Sequence, residues 1–214
     1  LTITGTSTFT TSQSDDDITL GSVNVFTGAV TLNTSGSDGD ELVDNGTTAL
    51  IIAASTVGGD LTLTSGHASG ITDSGAVSVG GNLAATTDAN SGVINMGTVE
   101  VNGKMALISD GEGDAIVVND VELDFATATV DIDTVSTVST GRCVYASVLT
   151  ISGTSTFTTS QSNDDITLGS VNVLTGAVAL NTSGSDGHAL VDNGTTALII
   201  AASTVGGDLT LTSG

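Results

Sequence analysis

The side chains with the most evident chemistry are carboxylates. Asp15, Asp16 and Asp17 stand together, and Asp38, Asp40, Glu41 and Asp44 follow in a short Ser/Gly-rich stretch. Clustered oxygen donors of this kind suit hard cations, calcium above all. Gly36 to Asp44 approximates a calcium-binding β-roll nonapeptide, with Ser37 where that pattern has glycine and Glu41 where it has its key aspartate. The second copy replaces Asp40 and Glu41 with His188 and Ala189, so the expectation is a solvated acidic loop with no cofactor, and a weak calcium site on Asp38, Asp40, Glu41 and Asp44 is the alternative. A second series, Asp120, Glu122 and Asp124 with Asp131 and Asp133, alternates along strand-like sequence. Alternation places such residues on one outer face, read as a plain solvated face, with a diffuse cation-binding ladder as the alternative.

Paired carboxylates also serve glycoside hydrolysis. Here acidic neighbours of equal standing recur throughout, so no pair is distinguished from the rest. Lys104 and Arg142 are the only basic residues apart from His67 and His188, and they lie far apart in sequence. There is no nucleophile elbow, phosphate loop or His/Cys metal cluster. No catalytic residue is assigned, and the chain is read as not an enzyme. Thr8 and Thr10, or Thr62 and Thr64, suggest an ice-binding array, but Ala84, Ala106 and Ile108 interrupt the pattern.

The composition constrains what can position these groups. Against 24 acidic residues there are two Lys and Arg, for a net charge of -22. Nucleic acid is excluded as a partner, because phosphate binding needs clustered cations, and an anionic membrane surface is disfavoured for the same reason. No apolar run is long enough to insert into a bilayer. Proline and tryptophan are absent, there are four phenylalanines and one tyrosine, and glycine occurs 28 times. A core without aromatics is thin and regular, as in a solenoid filled by stacked aliphatic side chains. The single cysteine, Cys143, forms no internal disulfide, and its expected state is a buried inert thiol, with an intermolecular bridge as the alternative.

The chain repeats itself. Residues 1–66 recur at 149–214 with six differences, Thr4/Ser152, Asp15/Asn163, Phe26/Leu174, Thr31/Ala179, Asp40/His188 and Glu41/Ala189. Inside this 148-residue unit a shorter step is visible, since Val-Gly-Gly-Asp-Leu-Thr-Leu from Val57 aligns with Val-Gly-Gly-Asn-Leu-Ala-Ala from Val79 and Val-Asn-Gly-Lys-Met-Ala-Leu from Val101. The step is 22 residues, in the range of solenoid repeats. Apolar residues alternate over short runs such as Leu61 and Leu63, which is strand periodicity, and no helical period is present.

These observations predict an all-β parallel solenoid with three short strands per coil. One complete unit, 1–148, divides into six coils at 3–24, 25–56, 57–78, 79–100, 101–122 and 123–150, and 149–214 begins a second unit of the same continuous solenoid. Gly21, Gly75 and Gly97 are expected at corners with positive φ. The two coils that exceed the basic step, 25–56 and 123–150, are expected to project loops, one around Asn33 to Asn45 and one within Asp131 to Ser147. The second would present Arg142, Cys143 and Tyr145 as contact candidates.

Val-Gly-Gly-Asp-Leu-Thr-Leu-Thr-Ser-Gly at 57–66, Gly-Ile-Thr-Asp-Ser-Gly at 70–75 and Asp-Asp-Ile-Thr-Leu at 16–20 resemble repeats of filamentous-haemagglutinin-like bacterial exoproteins. The resemblance implies a right-handed β-helix in a large secreted, cell-surface adhesin. The functional expectation is therefore an extracellular structural or adhesive fibre. Its partners would be flanking repeats or copies of itself end to end, and a host or neighbouring cell surface or glycan. A self-assembling filament is the alternative, because sheet edges at the ends of a solenoid invite pairing, and a carbohydrate-active β-helix enzyme ranks third. Neither end carries a polar capping segment, so the chain reads as part of a longer solenoid.

Overall fold

The computed structural model describes residues 1–88, 91–125, 128–145 and 148–214, with the backbone alone at 110–112, 128–136 and 145. Every paired strand is parallel to its neighbours, and no helix occurs among the described residues. The chain winds as a solenoid of about 9 turns, with three short strands per turn. One wall can be followed from end to end through Ile18–Leu20, Glu41–Asp44, Leu61–Ser65, Leu83–Thr87, the start of Lys104–Asn119, Leu123–Phe125, Cys143–Tyr145, Ile166–Leu168, Ala189–Asp192 and Leu209–Thr212.

The aliphatic core follows from alternation. In Leu61–Ser65 the leucines are buried and the threonines between them face outward. Stacking repeats this in register, so Leu61 lies under Leu83 and Leu83 under Met105, while Leu63, Ala85 and Leu107 make a second internal column. The expected step is observed here, and Val57, Val79 and Val101 pair directly. Outside, Thr62 is followed by Ala84 and Ala106, and Thr64 by Thr86 and Ile108, so the threonine columns are broken as the sequence suggests.

The division into six coils is not what the pairing shows. Ile18 pairs with Glu41 and Glu41 with Leu61, so one rung is slightly longer than the Val57-to-Val79 step and the next is shorter. The shorter rung recurs where Met105, Phe125 and Tyr145 follow one another. Neither 25–56 nor 123–150 is a single coil, and the wall makes seven steps between Ile18–Leu20 and Ile166–Leu168. The stretch 33–45 is not a projecting loop, since Asn33 pairs with both Thr10 and Thr56 and Glu41–Asp44 is a full wall strand. The second expected excursion is likewise wall. Cys143–Tyr145 pairs with Leu123–Phe125 on one side and Ile166–Leu168 on the other. Rung length varies from turn to turn, and a ruler of fixed length converts those differences into loops that the pairing does not contain.

One corner is sealed from within by buried amides. Asn45, fully buried, accepts the Phe26 backbone N–H at 2.8 Å, and its Nδ2 reaches the carbonyls of Phe26, Thr48 and Ala49. Asn193 repeats this with Leu174, Thr196 and Ala197. Asn24, Asn119 and Asn172 satisfy other turn groups in the same way. Such groups are costly if left unpaired in a dry interior. Gly21, Gly75 and Gly97 are not among the positive-φ residues, which include Asp15, Asn163, Gly36 and Gly46. The Gly-Gly motif has a different origin, because a Cβ at Gly58 would collide with the Gly36 carbonyl oxygen of the rung below. Only glycine allows that backbone approach.

Candidate functional site

The acidic residues are brought together as a ladder along the edge of the wall described above. Asp17, Asp40, Asp60, Asn82 and Lys104 stand at the start of successive wall strands, so stacking sets them one above another. Asp17 Oδ1 accepts the Asp40 N–H at 3.0 Å, Asp40 Oδ1 that of Asp60 at 2.7 Å, and Asp60 Oδ1 that of Asn82 at 2.7 Å. Asn82 Oδ1 accepts the Lys104 N–H at 2.9 Å. The series ends where Lys104 Nζ meets Asp124 Oδ2 at 3.1 Å. Short acceptors at this position supply backbone donors that the turn would otherwise leave to water.

The second copy uses the same device with different chemistry. Asp165 Oδ1 accepts the His188 N–H at 2.8 Å, and His188 Nδ1 accepts the Asp208 N–H at 2.8 Å. The Asp40/His188 difference thus conserves an acceptor while changing the side chain. His67 serves locally, its Nδ1 accepting the Ser69 N–H at 3.0 Å. A parallel pair of caps runs nearby, from Asp15 Oδ1 to the Asp38 N–H and from Asn163 Oδ1 to the Asp186 N–H.

The four residues of the alternative calcium reading do not converge on one site. Asp38 and Asp40 are exposed, Glu41 turns into the core, and Asp44 faces outward to accept the Gly46 N–H at 2.8 Å. The reason is the strand itself, in which successive side chains point to opposite faces, so Glu41 is directed away from both Asp40 and Asp44. Among the described residues no three His, Cys, Asp or Glu groups converge as a metal site. Of the second acidic series, Asp120 and Glu122 are exposed and Asp124 is held by Lys104, while the side chains of Asp131 and Asp133 lie outside the described residues.

Glu41 is the residue whose environment was not anticipated. It is 2% exposed, and neither carboxyl oxygen has a hydrogen-bond partner. Its register partners are Ile18 and Leu61. Burial pushes its pKa up to about 8, only partly offset by the nearby Thr34 hydroxyl. The sequence contained one signal, since the equivalent residue of the second copy is the apolar, buried Ala189.

The loop candidates are distributed along the wall. Arg142 is exposed, and its carbonyl accepts the Leu123 N–H at 2.9 Å. Cys143 is fully buried, and burial, with smaller contributions from Asp124 and Glu122, pushes its thiol up to about 12 despite the opposing influence of Thr137. It is therefore an inert core group. The Tyr145 side chain lies outside the described residues. No helix among the described residues is long and apolar enough to cross a membrane.

A family model described as repeats of unknown function (DUF5649) matches residues 1–33, 39–98 and 112–181. No curated protein and no solved structure matches the chain.

Proposed function

We propose that this chain, which belongs to the family of repeats of unknown function (DUF5649), is a rod segment of an extracellular structural or adhesive fibre and not an enzyme. The observation that carries the reading is the junction between the two near-identical units. Strands Leu123–Phe125, Cys143–Tyr145 and Ile166–Leu168 pair across it in unbroken parallel register. Adding units in this register therefore lengthens one stack of strands, each rung contributing about 4.8 Å. The likeness to filamentous-haemagglutinin-like exoproteins points the same way. The function is mechanical, with the rod carrying weak repeated contacts whose avidity grows with unit number. A surface of Thr, Ser, Asn and Asp with a net charge of -22 suits a solvated stalk that resists non-specific association.

The test is to display one unit and several tandem units on beads and measure retention on cell and glycan surfaces. Retention rising steeply with unit number supports the reading, and turnover of any member of a polysaccharide panel by the soluble chain refutes it. The mass of the intact polypeptide under denaturing conditions separates a long single-chain fibre, at hundreds of kilodaltons, from a filament of small subunits.

A further inference from the structure

One flank of the solenoid is recessed where its corner narrows rung by rung. Three residues, 74–76, lie between the paired strands Ile71–Asp73 and Val77–Val79. In the next rung two residues, Gly97 and Thr98, occupy that corner, and in the rung above only Val118 stands between the partners of Met96 and Val99. The result is a stepped groove of about 400 Å³, with Ala76, Gly97, Thr98 and Val118 along its steps and Glu100 and Asp120 at its side. Asp73 fixes the middle step, accepting the Gly97 N–H at 3.0 Å and the Thr98 N–H at 2.7 Å. Glu100 and Asp120 fall one position beyond the paired Val99 and Asn119, so the two exposed carboxylates lie side by side on adjacent rungs.

We propose that this groove seats an arginine- or lysine-bearing segment of a separate partner protein. The occupant's charge is set by Glu100 and Asp120, neither of which has an ion-pair partner among the described residues. The cation has to come from another molecule. This chain has one lysine and one arginine; Lys104 is held by Asp124 at 3.1 Å, and Arg142, on the rung beyond Asp120, is not among the residues that line the groove. The stepped floor matches the aliphatic stem of such a side chain, which packs on apolar surface while its head stays at the polar rim. The volume is within the range of sites that hold small ligands, and a concave acidic site concentrates the field of the surrounding negative charge. The inference gives the adhesive rod a defined contact, and rests on that reading only for its biological setting.

Gly97 provides the decisive variant. A Cβ placed there meets nothing within 4 Å, and the backbone is not in the positive-φ region. Gly97→Leu therefore fills the groove without straining the fold. The probe is a blocked tri-arginine peptide, titrated calorimetrically into the complete chain at fixed ionic strength, with tri-citrulline as the uncharged reference. Gly97→Leu and the double variant Glu100→Gln/Asp120→Asn should each weaken tri-arginine binding at least tenfold with unchanged circular dichroism and melting. The control Asp16→Asn/Asp208→Asn, which removes the same charge elsewhere, should change it less than twofold. Absence of tri-arginine binding, equal binding of tri-citrulline, or equal weakening by the control pair each overturns the proposal. So does a folded Gly97→Leu that binds normally, and should that variant misfold, the Glu100/Asp120 pair decides alone. Bead retention does not enter the result, so failure of the adhesive reading leaves this outcome separately readable.

Discussion

Glu41 gives the chain a pH dependence that its second copy lacks. The carboxyl has an ordinary pKa of 4.5 and a folded value of about 8, raised by burial between Ile18 and Leu61. At 2% exposure little solvent remains to screen it. A group that holds its proton more tightly when folded favours the native state at low pH. Below about 4.5 it is protonated in both states, so the full stability is present and no longer depends on pH through this group. As pH rises from there to about 8 the unfolded chain ionises and the folded chain does not, so stability falls by about 1.4 kcal/mol per pH unit. At pH 7 the accumulated loss is about 3 kcal/mol, a large share of the stability of an ordinary domain. Urea unfolding of the parent and of Glu41→Gln between pH 4.5 and 7 isolates the effect, because other carboxylates titrate alike in both. The stability difference should change by about 3 kcal/mol across that window in favour of the variant. Amide exchange in Glu41–Asp44 should quicken relative to Ala189–Asp192 as pH rises, after correction for intrinsic rates. Parallel pH profiles would refute the argument, showing that Glu41 reaches water or a partner in the folded chain.

Three further outcomes are expected. Asn45→Ala strands the Phe26 N–H and three turn carbonyls in a dry corner, and urea unfolding should register a loss of about 3 kcal/mol; the exposed Asn102→Ala should cost less than about 0.5 kcal/mol. Chelator should leave the melting temperature unchanged, since the candidate calcium residues do not converge; a drop of several degrees reversed by calcium would restore that site. Cys143, its thiol pushed up to about 12 by burial, should resist alkylation at pH 8 in the folded chain and react once the chain is unfolded in urea.

The sequence by itself determined the fold class. Alternation in Leu61–Ser65, the regular recurrence of Val57, Val79 and Val101, and the scarcity of aromatics leave little besides a thin parallel solenoid. It also determined the duplication, since residues 1–66 recur at 149–214 with six differences. The tertiary structure alone decided the rungs and, with them, the sites. Rung length is not constant, as the unequal steps from Ile18 to Glu41 and from Glu41 to Leu61 show, and only pairing with the neighbours reveals which residue faces inward. A slip of one position exchanges the two faces of a strand. Counting outward from the Val-Gly-Gly motif put Glu41 on a solvated loop beside Asp38 and Asp40, whereas its pairing with Ile18 and Leu61 puts it in the core. The same pairing moves Cys143 from an expected loop into a wall strand, while its burial as an inert thiol agrees with the sequence reading. It also creates the groove beside Glu100 and Asp120, because a recess made by corners that shorten from rung to rung exists only once the rungs are stacked.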